Sequence, residues 1–98
     1  MKFGIEFSPR ARENFGRLRK RDQQVIVDAI KVHLAHEPAN VTRHRKRLAD
    51  NPLAPWELRV GDFRVFYEID NDAETVVVVA IGYKVHNRLF IGGEEIQL

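Results

Sequence analysis

Apolar and polar residues alternate at the start of the chain, and this alternation predicts a half-buried strand over Lys2–Phe7. Ser8 followed by Pro9 then predicts a helix start. A serine hydroxyl can cap the first free backbone N–H groups, and proline suits the first helical position. The expected helix carries a narrow apolar stripe made of Ala11, Phe15 and Leu18.

A second helix is predicted by a wider apolar face at helical spacing, with Asp22 as its expected N-cap. It should end before Pro38, because proline disfavours the helical conformation in the residue that precedes it. The two helices are joined by almost nothing, so they are expected to form an antiparallel hairpin. Neither is long enough to be stable alone, so both need a sheet on which to bury their apolar stripes.

Three strands are predicted in the second half of the chain, over 56–60, 63–70 and 75–83. The last of them, TVVVVAIGY, is apolar on both faces and is therefore expected to be central in the sheet. Residues 37–54 are expected to be mostly loop, and the tail is expected to add a short edge strand near 89–91. The chain, residues 1–98, is thus predicted to be a single α+β domain of order β-α-α-β-β-β. Its two-helix hairpin would pack on one face of a mostly antiparallel four-stranded sheet.

The stretch WELRVGDFRVFY predicts a hairpin with Gly61-Asp62 at its tip, which places Arg59 directly opposite Arg64. Like charges that face each other in this way are destabilising. In one interpretation the pair lies on a solvated face and Glu57 neutralises it. In the other, this face is open because the helices cover the opposite one, and the two guanidinium groups form a clamp for phosphate.

Composition and charge exclude several classes of protein and indicate the kind of partner. The sequence is 44% hydrophobic and 31% charged, as in ordinary globular domains, and it has no cysteine for a disulfide, a thiolate metal site or a nucleophile. It shows no signal peptide and no membrane span, so a cytoplasmic protein is expected. Residues 1–50 hold 12 lysines and arginines against 6 acidic residues (net +6), whereas residues 51–98 hold 4 against 8 (net −4). The sequence pI near 9.2 favours an acidic or polyanionic partner.

The order of elements resembles that of the RelE/ParE superfamily of bacterial toxins. The motifs that carry the resemblance are the hairpin LRVGDFRV, the KRL at 46–48 before it, and an apolar strand that ends in Gly-aromatic-Lys at 82–84. RelE-like members cut messenger RNA in the ribosomal A site without a metal or cofactor, and ParE-like members inhibit DNA gyrase. Both kinds are silenced by a cognate antitoxin.

The resemblance also implies site residues. RNA cleavage through the 2′-hydroxyl needs a base, a set of cations for the charged phosphorane, and an acid for the 5′-oxygen. Phe90 stands where many RNA-cleaving members place a tyrosine, so the proton-transfer candidates are His86 and Glu57, with Tyr83 and His44 behind them. The cations implied as catalytic are Arg59, Arg64 and Lys84, and those implied to bind RNA are Arg45, Lys46 and Arg47.

Three functions follow from the resemblance. The first is a ribosome-dependent, metal-independent mRNA endoribonuclease that binds messenger RNA and ribosomal RNA. The second is a ParE-like gyrase inhibitor without an active site, and the third is an inactive toxin that only binds its antitoxin. In each case the expected partner is a cognate antitoxin, in a possible toxin–antitoxin hetero-oligomer, and no membrane is involved.

Overall fold

Two helices pack against one face of a seven-stranded, mostly antiparallel sheet in the computed structural model, which describes residues 2–97. The predicted α+β class is therefore confirmed. In chain order the elements are β1 (Gly4–Phe7), α1 (Pro9–Gly16), α2 (Lys20–Leu34), β2 (Arg45–Arg47), β3 (Trp56–Val60), β4 (Phe63–Asp70), β5 (Thr75–Val85), β6 (Arg88–Ile91) and β7 (Glu94–Ile96). No helix within residues 2–97 is long and apolar enough to cross a membrane.

The sheet is organised around β5, as its two apolar faces predict. All of β4 is paired with β5, with a bulge in the register between Phe66 and Tyr67. The other edge of β5 is shared: β1 pairs in parallel with residues 75–78, and β6 pairs antiparallel with residues 82–85. Beyond β4 lie β3 and then β2, and beyond β6 lies β7.

Between the parts of β5 that pair with β1 and with β6, residues 79–81 are contacted by side chains at the start of α1 and within it. Ser8 Oγ donates a hydrogen bond to the carbonyl of Val79 (2.8 Å) and also accepts one from the Ala11 N–H (3.1 Å), so it caps α1 as predicted. Asn14 Oδ1 accepts a hydrogen bond from the Ile81 N–H (3.0 Å). The N-cap of α1 and one polar side chain within it therefore satisfy backbone groups of β5.

Within residues 2–97 the sheet has seven strands, against the four of the predicted sheet and the one short edge strand expected in the tail. β2 forms within the segment expected to be mostly loop, because residues 45–47 find the free edge of β3. β7 adds to the predicted tail strand, now β6, through a turn at Gly92 and Gly93, both of which have positive φ. β1 begins two residues later than predicted, and β5 continues two residues further, to Val85.

The boundaries of the helices also differ from the prediction. α2 begins at Lys20, so Asp22 is not its N-cap; it lies in the first turn, with its carboxylate 3.5 Å from Arg19 Nε. An acidic residue is favourable both at the cap and in the first turn, so the local sequence does not distinguish the two positions. α1 ends at Gly16, which leaves Leu18 in the connection between the helices, although it still packs on the core.

Apolar side chains are buried on both faces of the sheet. The larger core lies between the sheet and the helices and contains one face of the β3–β4 hairpin, from Trp56 to Tyr67. A smaller cluster lies on the opposite face, where Phe66 is completely buried with Ala54, Ala80, Leu89 and Ile91. The prediction that this second face is open is therefore only partly right. The segment after β2 and the side chains of Leu89 and Ile91 bury its centre, and a cleft remains at one end.

Candidate functional site

A basic cleft of about 560 Å³ lies on the face of the sheet opposite the helices. Five of the residues that line it are basic and one is acidic, although the side chain of Arg47, which is paired with Trp56, is directed to the other face of the sheet. The lining residues are Lys46, Arg47, Leu48, Ala49, Asn51, Glu57, Arg59, Arg64 and Lys84. We call this set the basic cleft.

Strand pairing explains why these side chains converge. β3 and β4 pair in the predicted register, with Arg59 opposite Arg64. Arg64 is also opposite Gly82 of β5, so Lys84, two residues further along that strand, points to the same face. On the other side, Lys46 of β2 is paired with Glu57 of β3.

The two arginines of the hairpin have different environments. Arg59 is exposed, whereas Arg64 is only 6% exposed. Arg64 Nη1 donates to the backbone carbonyls of Gly61 (2.8 Å) and Phe63 (2.9 Å). These bonds hold the guanidinium group at the wall of the cleft, and its other nitrogens make no hydrogen bond within residues 2–97.

Glu57 does not neutralise the pair in the way that the first interpretation supposed. No ion pair within residues 2–97 includes Glu57, Arg59 or Arg64. Glu57 is 9% exposed. It lines the basic cleft and also an adjoining cavity of about 410 Å³. Glu57 therefore lies at the junction of two cavities, and Lys84 lines both of them.

The three predicted RNA-binding residues of β2 have three different roles in the fold. Arg45 Nη1 donates to the carbonyls of His33 (2.5 Å) and Glu37 (2.7 Å), so this side chain ties the end of α2 to β2. The Arg47 guanidinium lies 5.7 Å from the centre of the Trp56 ring, in a cation–π contact. Lys46 is exposed and lines the basic cleft.

The remaining proton-transfer candidates lie outside the basic cleft. His86 is exposed in the two-residue turn between β5 and β6, with φ of 51°. His44 packs against His33, with ring centroids 4.9 Å apart. Tyr83 stacks on Phe90 at 5.5 Å, and this pair lies on the helix side of the sheet. A tyrosine in place of Phe90 would therefore point away from Arg64.

The loop of residues 48–51, which forms one wall of the cleft, was not predicted from the sequence. Asn51 Oδ1 accepts a hydrogen bond from the Leu53 N–H (2.8 Å), which closes a tight turn over the sheet. The Asn-Pro sequence at 51–52 signals a turn, but nothing local to it shows that the turn folds back over β3 and β4.

The basic cleft has the chemistry of an anion site. Its cations match phosphate oxygens, and Glu57 can accept a proton. Within residues 2–97 no three His, Cys, Asp or Glu side chains cluster closely enough to hold a metal ion.

Comparison with known proteins adds two findings. The profile of the family described as ParE toxin of type II toxin–antitoxin system, parDE, matches residues 5–87. A chain in the crystal structure of the toxin–antitoxin complex RelBE2 from Mycobacterium tuberculosis superposes with a TM-score of 0.72 at 25% sequence identity. That superposition covers 86% of this chain and 100% of the other. The search of curated proteins finds no match.

Proposed function

Because the chain belongs to the ParE toxin family, in the RelE/ParE superfamily, and is a toxin of type II toxin–antitoxin systems, we propose that it arrests growth by cutting messenger RNA on the ribosome. The observation that carries this proposal is the basic cleft, in which Arg59, Arg64 and Lys84 face one carboxylate. Within it the Arg64 guanidinium is held by two backbone carbonyls, and the exposed Arg59 lies beside it.

The proposed reaction uses the RNA itself as the nucleophile. Glu57 accepts the proton of the 2′-hydroxyl, whose oxygen bonds to phosphorus while the bond from phosphorus to the 5′-oxygen breaks. The ammonium of Lys84 gives a proton to the departing 5′-oxygen, and a 2′,3′-cyclic phosphate remains. Arg59 and Arg64 hold the phosphoryl oxygens and stabilise the charge that develops on them.

The partner that we propose is a cognate antitoxin, as in the RelBE2 complex. Messenger RNA and the ribosome would be the other partners. Lys46 extends the cationic lining of the cleft towards the edge of the sheet, so it is placed to contact a neighbouring phosphate.

Induction of the protein followed by mapping of message ends tests the proposal. We expect A-site cleavage with the wild type and a loss of about 10²–10³-fold with Arg64→Ala, the typical cost of removing one donor to a developing oxyanion. Arg21→Gln, which removes an exposed arginine on α2, serves as the matched control and should cut normally. Phe90→Tyr should also leave cleavage unchanged, because that side chain lies on the other face. Intact messages during full growth arrest would refute the nuclease function.

Glu57→Gln separates two roles for the carboxylate. As the base, Glu57 is needed for chemistry, so the variant should bind RNA more tightly but cut it about 10²–10⁴-fold more slowly. If Glu57 only repels phosphate, the variant should bind more tightly and also cut faster.

Gyrase inhibition is the second candidate, because the matching family is described by its ParE members and no tyrosine or histidine between residues 2 and 97 lines the basic cleft. It predicts DNA damage while translation is initially spared, and loss of supercoiling by purified gyrase when the protein is added. Growth without arrest, with a folded protein by circular dichroism, would instead identify an inactive toxin.

A further inference from the structure

A smaller cavity of about 210 Å³ lies on the helix side of the sheet, between the end of α1 and the turn that joins β6 to β7. It is distinct from the basic cleft, because Ile81 and Tyr83 point to the opposite face from Arg64 and Lys84. We call it the turn pocket. Its lining residues are Asn14, Arg17, Leu18, Ile81, Gly82, Tyr83, Gly92 and Gly93.

Asn14 presents an unused donor to this pocket. Its side chain is 7% exposed, and Oδ1 is committed to the Ile81 N–H at 3.0 Å. Nδ2 has no hydrogen-bond partner within residues 2–97, and it faces Gly92, where an added Cβ atom would lie 3.6 Å from it. Nδ2 is not sealed from solvent, so it can donate a hydrogen bond to a ligand that enters the turn pocket.

Arg17 brings a cation to the same turn. Its Nη1 lies 3.3 Å from the Gly92 carbonyl and 4.0 Å from the position of an added Cβ on Gly93. Its other contact is Nη2 to Glu13 Oε1, at 3.5 Å, between side chains that are 60% and 70% exposed. An ion pair so exposed to water is weak, so a ligand can displace it.

We propose that the turn pocket binds one carboxylate, supplied by an aspartate or glutamate of the antitoxin; this identification of the partner rests on the proposed function. A guanidinium and an amide are planar donors that suit the two oxygens of a carboxylate. The volume is below the roughly 300–1,000 Å³ of pockets for drug-sized ligands, so it fits one side chain. Arg17 gives the lining a positive charge, which attracts an acidic side chain.

Titration of the ¹⁵N-labelled full chain with sodium acetate tests the pocket directly, with sodium chloride and inorganic phosphate as parallel arms. We expect acetate to shift the Asn14 side-chain amide and the backbone amides of Ile81, Gly92 and Gly93 saturably. No response beyond that to chloride, or a stronger response to phosphate, would overturn the proposal.

Two variants and a control complete the test. Asn14→Asp keeps an oxygen for the Ile81 N–H but loses the donor, and Arg17→Gln loses the cation. Both should weaken acetate binding, and the affinity for the co-expressed antitoxin, by about 10-fold or more, whereas Arg21→Gln should weaken neither. Because the acetate arm needs neither RNA nor antitoxin, it is unaffected if the nuclease function fails. Acetate binding with unchanged affinity for the antitoxin would overturn the identification of the partner.

Discussion

The hydroxyl of Tyr67 makes a buried hydrogen bond whose removal has a calculable effect. It donates to the Pro38 carbonyl at 2.7 Å, and the side chain of Tyr67 is completely buried. This bond fixes the start of the segment that leads from α2 to β2 and so to Lys46. Tyr67→Phe removes only the hydroxyl, because the ring can keep its stack on Trp56, where the centroids are 5.9 Å apart.

The expected cost combines the lost hydrogen bond with a buried carbonyl left without a donor. Together these lower the free energy of unfolding by about 2 kcal/mol. For a domain of this size that corresponds to a fall in Tm of roughly 8–16 °C. Urea denaturation and calorimetry at neutral pH measure both quantities. Tyr83→Phe is the matched control, because Tyr83 is the other tyrosine, is only partly buried, and its hydroxyl makes no hydrogen bond within residues 2–97. It should change Tm little.

Alkaline pH gives the same variant an independent test. Burial raises the pKa of Tyr67 well above its ordinary value of 10, although the Arg45 charge partly opposes this. The folded protein therefore holds the phenol proton more tightly than the unfolded chain. The contribution to stability is fully present below pH 10 and is lost as the pH rises above it. The stability gap between wild type and Tyr67→Phe should thus narrow above pH 10. A gap under about 0.5 kcal/mol at neutral pH, or one that does not change with pH, would refute the reasoning.

Three further predictions concern other parts of the fold. The pKa of His33 is lowered by burial and by the nearby His44 and Arg45. The contribution of His33 to stability is therefore present above pH 6.5 and lost as the pH falls below it. His33→Gln should reduce the loss of stability that is measured between neutral and acidic pH. Ser8→Ala should lower the free energy of unfolding, measured by urea denaturation, by about 1–2 kcal/mol, because it removes a helix cap and a bond to the sheet. Gly82→Ala should lower the free energy of unfolding by about 1–3 kcal/mol in the same assay, because the added Cβ would lie 2.6 Å from a backbone oxygen of β6. Gly16→Ala is the control: an added Cβ there meets nothing within 4 Å, so the variant should not be destabilised.

Local pattern was sufficient to determine the β3–β4 hairpin and the start of α1. Strict alternation from Trp56 to Tyr67 around Gly61-Asp62 has one register that buries a continuous apolar face, so the opposition of Arg59 and Arg64 could be read from the sequence. Ser8 and Pro9 define a helix start through their own chemistry, whatever lies around them. The central place of β5 likewise follows from its being apolar on both faces.

The surroundings of those elements were decided only by tertiary structure. Phe66 alternates with charged residues, so its pattern alone does not show that Ala54 and Leu89, from distant segments, bury it. Arg45, Lys46 and Arg47 are three adjacent cations, yet one secures α2, one lines the basic cleft and one covers a tryptophan. The periodicity of a strand tells which face a side chain occupies, but what lies over that face depends on contacts between residues far apart in the chain. That is why the sequence alone predicted an arginine pair, and only the fold showed a cleft around it.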